Sequence, residues 1–176
     1  MRPAPVPISK ATSIQCKALL DANILVYWID PTDAVKQAIA EEVMSEGLRS
    51  ESVIIPHQAL IEWMAVVQRP QARLNGQPLL PNAVAVQQAE WLMRAFDVIY
   101  PDPEIMATAL RGQATFGLSW FDAHLWAYAE VHGIGEILSE DFQHGRYYGS
   151  VRVVNPFLSK LDPVHELPAM YEVSSR

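Results

Sequence analysis

The sequence has one cysteine, no long apolar run and no excess of positive charge, and each absence excludes a class of protein. The single cysteine, Cys16, has no partner within the chain, so the fold does not depend on a disulfide or on an oxidising compartment. The apolar runs are well below the about 20 residues that a transmembrane helix requires. The start, MRPAPVPISK, has prolines where a signal peptide has an apolar segment, so we expect a cytoplasmic protein with no membrane partner.

The charge and the missing motifs narrow the function further. A formal net charge of −7 argues against broad, charge-driven binding of nucleic acid, unless the negative charge is concentrated where cations bind. The chain has no Gly-rich phosphate loop, no Gly-x-Ser-x-Gly turn and no CxxC pair. Its five histidines are scattered, so no zinc cluster is predicted. His124, close to Asp122 in a predicted helix, is interpreted as a packed residue and not as a catalyst.

Short apolar segments alternate with helical segments along the chain. Five β-prone segments end at turn or acidic residues: KALL, SVII, DVIY, EILS and VRVV. They are nearly unbroken apolar runs, as is typical of strands covered on both faces. Helices are predicted between them, at 33–49, 57–68, 82–95, 103–111 and 120–131. Thr32 is the expected N-cap of the first of these helices. Trp91 is among the aromatic residues interpreted as core. The alternation predicts a three-layer α/β/α sandwich around a central, mostly parallel sheet.

The prolines near the start and the weak pattern near the end delimit one predicted domain. Residues 1–16 are expected to be a flexible lead-in, because three prolines in seven residues prevent regular hydrogen bonding. Residues 17–157 form the domain, and residues 158–176 form a C-terminal tail. A chain of 176 residues suits one such domain and is short for two. Within the domain, the Pro-, Gly- and Asn-rich segment 69–82 is predicted to be a loop.

Four carboxylates lie where the pattern predicts a core or a sheet edge. Asp21 follows the first strand and Asp141 follows the fourth, at the edge where ligands bind to open parallel sheets. Glu62, in ALIEWMAVV, and Asp122, in LSWFDAHLWAYA, lie in predicted helices among apolar neighbours. Burying a carboxylate without a partner is costly, and we expect no local pairing of these acids with a lysine or arginine. We therefore expect a divalent cation among them, and oxygen ligands select Mg²⁺ or Mn²⁺.

Each of these acids also has a simpler interpretation. Asp122 lies three residues after a serine, so Ser-x-x-Asp could be a capping box, and the two roles are compatible. Glu62 could lie on a solvated helical stripe, and Asp21 and Asp141 could be ordinary turn residues. Asp102, between two prolines, is interpreted as a turn and helix-start residue and is left out of the site.

The same segments resemble the motifs of a known family. LLDANILVYW resembles the first motif of PIN domains, particularly of the VapC toxins of bacterial toxin–antitoxin pairs, in which Asp-x-Asn follows the first strand. ALIEW is similar to the second motif, which supplies a helical glutamate, and LSWFDAHLWAYA is similar to the third. ILSEDFQHG, followed by VRVVNPF, resembles the closing segment. The resemblance covers residues 17–157, with the motifs in the family's order and spacing.

The resemblance implies a Mg²⁺- or Mn²⁺-dependent endoribonuclease that hydrolyses phosphodiester bonds in structured RNA such as tRNA. It implies a homodimer that a small antitoxin protein inhibits. The implied catalytic and metal-binding acids are Asp21, Glu62, Asp122 and Asp141. The positions that often support such a site by hydrogen bonding are Asn23 and Ser139. The candidate phosphate contacts for RNA are Arg69, Arg73 and Arg146.

Two other functions are weighed against this one. A phosphatase with an aspartate nucleophile usually has Asp-x-Asp after its first strand and a later lysine. Here Asn23 stands at the second position, and no lysine lies between Lys36 and Lys160. An inert PIN-like module that binds RNA or protein is expected to have lost one or more of the acids, and all four are present. Intact acids do not prove turnover, so the inert module stays the alternative.

Overall fold

The structure is a computed structural model, and it describes residues 17–158. Residues 1–16, with the predicted lead-in and Cys16, and residues 159–176 of the predicted tail lie outside the described residues. The helices are α1 Ala22–Ile29, α2 Ala34–Ser50, α3 His57–Gln68, α4 Asn82–Ala95, α5 Pro103–Phe116 and α6 Trp120–His132. The strands are β1 Ala18–Leu20, β2 Val53–Pro56, β3 Asp97–Ile99, β4 Glu136–Leu138, β5 Tyr147–Tyr148 and β6 Val151–Val154. A 3₁₀ turn, Ala72–Leu74, lies within the predicted loop.

The strands of the described part form one sheet in the order β3-β2-β1-β4-β6-β5. Neighbouring strands are parallel except β5, which pairs antiparallel with β6. In the centre, Ala18 of β1 lies beside Val53 on one side and Glu136 on the other. Parallel strands need crossover connections, and helices supply them between β1, β2, β3 and β4. The segment 139–150, which contains β5, connects β4 to β6. The carboxyl ends of β1, β2, β3, β4 and β6 therefore lie at one edge of the sheet.

Helices cover both faces of the sheet because successive residues of a strand point to opposite sides. Leu19 and Ile54 pack in a core with α5 and α6. Leu20 and Ile55 pack in a second core with α1, α2, α3 and α4. Both faces of the central strands are thus buried, which explains their unbroken apolar sequence. The arrangement confirms the predicted α/β/α sandwich.

Helices α5 and α6 approach closely because Gly112 has no side chain. A Cβ atom at Gly112 would lie 2.4 Å from Cε3 of Trp126. The Trp126 ring packs edge-on against Phe116, with centroids 5.2 Å apart, and its Nε1 donates to the carbonyl oxygen of Tyr148 at 2.8 Å. This packing fixes α6, the helix that carries Asp122, against its neighbours.

Three local predictions were wrong. The N-cap of α2 is Asp33 and not Thr32, since the Asp33 carboxylate accepts from a backbone N–H of the first turn at 3.0 Å. Trp91 is not core, since it is 38% exposed and stacks on Trp28 with centroids 5.6 Å apart. Helix α5 continues to Phe116, beyond the predicted end, because apolar contacts with α6 extend it.

Between residues 17 and 158, none of the helices is long and apolar enough to cross a membrane.

Candidate active site

Asp21 lies at the carboxyl end of β1, where the chain turns into α1. Its backbone N–H donates to the carbonyl oxygen of Leu138 at 3.0 Å, which ties the ends of β1 and β4 together. Asp21 is also the N-cap residue of α1, yet its side chain makes no capping hydrogen bond. The carboxylate is only 8% exposed. The buried strand therefore places a carboxylate at the sheet edge and leaves it available to a ligand.

Asn23 and Ser139 hold the side chains of Asp21 and Asp141 together. Ser139 Oγ donates to Asp21 Oδ2 at 2.5 Å and accepts from the backbone N–H of Asp141 at 3.1 Å. Asn23 Nδ2 lies 3.0 Å from Asp21 Oδ2 and 3.2 Å from Asp141 Oδ2. The structure thus brings these residues into contact across a sequence separation of more than a hundred residues. Asn23 and Ser139 occupy the supporting positions that the resemblance implies.

Glu62 projects from α3, one turn after Gln58, a residue that sequence analysis did not identify. Gln58 Nε2 donates to Glu62 Oε1 at 2.6 Å and to the carbonyl oxygen of Phe121 at 3.0 Å. Because the Gln58 amide nitrogen is the donor to Glu62, Gln58 Oε1 accepts from Nδ1–H of His124 at 2.8 Å. Gln58 thus links α3 to the first turns of α6. His124 is half-buried, and burial lowers its pKa, as suits a packed residue.

Asp122 lies in the first turn of α6, where it contacts the N-cap residue and lines a cleft. Ser119 Oγ accepts from the Asp122 backbone N–H at 3.2 Å and donates to Asp122 Oδ2 at 2.7 Å. Ser119 is therefore the N-cap of α6, and the Asp122 carboxylate bonds to the Ser119 hydroxyl and not to the backbone N–H of a capping box. The same residue lines a cleft together with Asp21, Glu62 and Asp141. Asp102, left out of the site, caps α5 by accepting from two backbone N–H groups.

The four carboxylates affect one another electrostatically. Burial raises the pKa of Asp21 to about 7; the hydrogen bond from Ser139 opposes this, and the charges of Asp141 and Glu62 add to it. Burial also raises the pKa of Glu62, where the hydrogen bond from the Gln58 amide opposes the rise and the charges of Asp122 and Asp141 add to it. Like charges in a partly dry cleft favour the binding of a proton or a cation.

Two hollows, each of about 320 Å³, open at the carboxylate cluster and share four of their lining residues: Asp21, Glu62, Val66 and Asp141. We call the first the arginine hollow, since it continues along α1 to Tyr27, Asp30 and Arg73. We call the second the phenylalanine hollow, since it continues to Gln58, Phe121, Asp122 and Leu125. A slightly larger hollow of about 360 Å³ beside α2 contains none of the four acids.

The side chains suit a hard divalent cation in their chemistry, although they are not arranged around one. Within residues 17–158, no three acidic, histidine or cysteine side chains converge closely enough to hold a metal ion. Instead each carboxylate accepts a hydrogen bond from a neighbouring Ser, Asn or Gln side chain. The donor set contains only oxygens of the kind that Mg²⁺ and Mn²⁺ prefer. In addition, the buried Oδ1 atom of Asn23 has no hydrogen-bond partner in the described part.

A lysine that sequence analysis did not identify lies beside the site. Lys36 Nζ donates to Glu140 Oε2 at 2.5 Å and to the Tyr27 hydroxyl at 2.9 Å. The Tyr27 hydroxyl in turn donates to Glu140 Oε1 at 2.5 Å. Glu140, next to Asp141, is thereby neutralised and tied to α1 and α2. Lys36 and Glu140 are 104 residues apart in the sequence, so no local pattern indicates their contact.

Of the three arginines predicted to contact phosphate, Arg73 lies at the arginine hollow. Arg73 pairs at 2.5 Å with Asp30, which is 2% exposed, and lines the arginine hollow. Arg69 is exposed just after α3. The guanidinium of Arg146 lies 4.6 Å from the centroid of the Tyr148 ring. Neither Arg69 nor Arg146 lines the two hollows.

A family comparison identifies the domain that contains these residues. The model of the PIN domain matches residues 18–149, three quarters of the chain. The chain belongs to the PIN domain family. The match spans all four acids, so the site described above lies within the PIN domain. No curated protein matches the chain in sequence.

Solved structures resemble this PIN domain at low sequence identity. A toxin–antitoxin complex from Klebsiella pneumoniae is 17% identical with a TM-score of 0.56, over 80% of this chain and 98% of that one. VapC20 from Mycobacterium tuberculosis, described as a sarcin–ricin loop cleaving toxin, is 16% identical with a TM-score of 0.54, over 77% and 99%. A DNA-bound VapBC from Salmonella typhimurium is 13% identical with a TM-score of 0.57, over 78% and 96%. At these identities the likeness shows the fold alone.

Proposed function

We propose that this PIN domain is a metal-dependent endoribonuclease whose catalytic centre is the carboxylate cluster. The observation that carries the proposal is that four acids from separate elements line the same hollow. These catalytic, metal-binding acids are Asp21, Glu62, Asp122 and Asp141. Family membership supports a nuclease. The sarcin–ricin loop cleaving toxin among the similar structures supports RNA as the substrate.

The chain's own residues have distinct roles in this proposal. Asp21 and Asp122 would be the primary ligands of Mg²⁺ or Mn²⁺, with Glu62 and Asp141 completing the site. When bound, the cation supplies positive charge and Lewis acidity for the attack of water on a phosphodiester. Asp21 would hold the cation as a carboxylate, because carboxylates bind metals in their ionised form. Asn23 keeps Asp21 and Asp141 adjacent. The proposed reaction needs no covalent nucleophile.

The remaining assignments concern partners. Arg73 is the proposed phosphate contact within the arginine hollow. Arg69 and Arg146 are the proposed contacts farther along the RNA. The toxin–antitoxin complexes among the similar structures support an antitoxin partner, and we infer a homodimer from the family resemblance.

One observation favours the alternative of an inert binding module. The carboxylates of the described residues are paired with their own neighbours and do not surround a common point. In a working enzyme, a cation would draw the carboxylates toward one point, while the hydrogen bonds from Ser119 and Gln58 can remain on the oxygens that do not bind it. In an inert module the carboxylates stay apart at any metal concentration.

Cleavage of total cellular RNA distinguishes the two. Purified protein is incubated with RNA in Mg²⁺, in Mn²⁺ and in EDTA, beside Asp122→Asn and the exposed control Asp97→Asn. We expect discrete fragments with metal from the wild type and the control, and a loss of orders of magnitude in Asp122→Asn. Mn²⁺ binding by calorimetry without cleavage of any RNA would favour the inert module.

A further inference from the structure

The two hollows beside the carboxylates differ in the chemistry of their walls. Arg73 lines the arginine hollow, whereas no described lysine or arginine lines the phenylalanine hollow. The apolar wall of the phenylalanine hollow consists of Ala65, Val66, Phe121 and Leu125. Its polar wall consists of the four acids and Gln58. A cation bound by the acids would hold the scissile phosphate at that side of the hollow. The apolar wall has no positive charge to receive a second phosphate, so the rest of the hollow suits an uncharged group.

Phe121 is 63% exposed although it belongs to the family's third motif segment. Single exposed apolar residues are ordinary on protein surfaces, but this one lies directly before Asp122 and lines the cleft. Phe121 is absent from both apolar cores, and no aromatic ring of the described residues stacks on it. The packing of the fold therefore gives no reason for a phenylalanine at this position.

The backbone that carries this ring is fixed relative to the catalytic acids. Gln58 Nε2 donates both to the carbonyl oxygen of Phe121 at 3.0 Å and to Glu62 Oε1 at 2.6 Å. Phe121 also lies in the first turn of α6, whose N-cap, Ser119, bonds to Asp122. A flat apolar side chain is thus held beside the carboxylates without filling the hollow itself.

We propose that the phenylalanine hollow is a nucleobase subsite, in which an unpaired base next to the scissile phosphate stacks on Phe121. This inference rests on the proposed function, and it specifies the substrate as unpaired RNA. A nucleobase is planar and uncharged, so it gains contact with the apolar wall and avoids the repulsion that a second phosphate meets. A base within a duplex is already stacked and paired, so the subsite selects single-stranded segments or loops.

Binding of short RNA probes tests the subsite. Fluorescein-labelled A₈, U₈ and an abasic eight-nucleotide ribose-phosphate chain are titrated by anisotropy, with Ca²⁺ in place of Mg²⁺ to suppress cleavage. The variants are Phe121→Ala, Phe121→Trp and the control Leu110→Ala, which removes an apolar side chain on α5 that is 56% exposed. Mn²⁺ calorimetry on each variant shows whether the carboxylate cluster is intact, and thermal melts show whether it folds.

We expect Phe121→Ala to weaken binding of A₈ and U₈ by about tenfold or more, as loss of one stacked base does in other proteins. Binding of the abasic chain and of Mn²⁺ should not change. Phe121→Trp should retain binding of the base-containing probes, and Leu110→Ala should match the wild type.

Four results would overturn the subsite. If Phe121→Ala and the wild type bind A₈ equally, the subsite is wrong. RNA cleavage by the wild type would still support the proposed function. An equal loss on the abasic chain would show a general effect on the cleft. Unchanged RNA binding with lost binding of a protein partner would assign Phe121 to a protein interface. If the wild type neither binds nor cleaves any RNA, the proposed function fails along with the subsite.

Discussion

Burial of Asp21 predicts that the metal-free protein loses stability as the pH rises. The carboxyl has a pKa of about 7 in the folded protein against 3.8 in the absence of the fold. Between these values the folded state holds a proton that the unfolded state has lost, so the free energy of unfolding falls as pH increases. Below pH 3.8 the carboxyl is protonated in both states and the free energy of unfolding does not change with its titration. Above pH 7 the carboxyl is ionised in both states and the loss of stability is complete. The difference in pKa corresponds to about 4 kcal/mol, an upper bound for the cost of ionising Asp21.

Asp21→Asn removes this cost because an amide does not ionise. The amide oxygen can take the place of Oδ2, which accepts from both Ser139 and Asn23. The amide nitrogen then takes the place of Oδ1 and cannot accept a hydrogen bond there, a loss that costs about 1–2 kcal/mol. We therefore expect Asp21→Asn to be about 2 kcal/mol more stable than the wild type at pH 8 in EDTA. Near pH 5, where the wild-type carboxyl is protonated, the variant should lose that advantage.

Urea denaturation at several pH values between 5 and 8, with EDTA throughout, measures this difference. Asp97→Asn is the matched control, because Asp97 is exposed and its loss removes only a surface ion pair with Lys17. Addition of Mn²⁺ at pH 8 should stabilise the wild type and not Asp21→Asn, since bound ligands stabilise the folded state. A variant that is less stable than the wild type at pH 8, or a difference that does not change with pH, would refute the reasoning.

Two further predictions concern the scaffold. Gly112→Ala should destabilise the protein by about 1–3 kcal/mol, because the new Cβ overlaps Trp126 and this outweighs the gain in helix propensity of about 1 kcal/mol. Gly135→Ala, with no atom within 4 Å of its Cβ, should leave the melting temperature nearly unchanged, and equal melting of both variants would contradict the packing. Arg73→Ala should cost about 2 kcal/mol in urea denaturation, less than a fully buried ion pair, because it leaves Asp30 buried while Arg73 itself is 45% exposed. The surface control Arg94→Ala should cost little, and a similar loss in both variants would show that Asp30 needs no partner.

The parts of the fold that depend on local pattern could be predicted from the sequence. Helices α3 and α4 have the bounds that apolar periodicity and flanking turn residues indicate. The central strands follow from their unbroken apolar runs. Strand β5 was not predicted, because a two-residue strand that exists through pairing with β6 has no pattern of its own. Helix α1 was not predicted as a helix, because its eight residues are apolar except for Asn23 and show no helical period.

The candidate site was predictable where a residue is chemically out of place among its neighbours. The four acids could be identified because burying a carboxylate among apolar residues is costly, and their apolar neighbours are visible in the sequence. Gln58 and Lys36 could not, since an amide or an amine on a helix surface is ordinary. Their contacts with Phe121 and Glu140 cross 63 and 104 residues, and only the folded chain brings them together. Phe121 was within a recognised motif, but its exposure could not be inferred from helical spacing.

The central claim is that the same four carboxylates bind a divalent cation and cleave RNA. Its most direct test is calorimetric titration of Mn²⁺ into the wild type, Asp21→Asn, Glu62→Gln, Asp122→Asn and Asp141→Asn, with RNA cleavage measured on the same preparations. The account predicts that the wild type binds Mn²⁺, and that affinity and cleavage fall together in the variants, most of all for the two primary ligands. Full RNA cleavage in EDTA, or undiminished cleavage in both Asp21→Asn and Asp122→Asn, would contradict it.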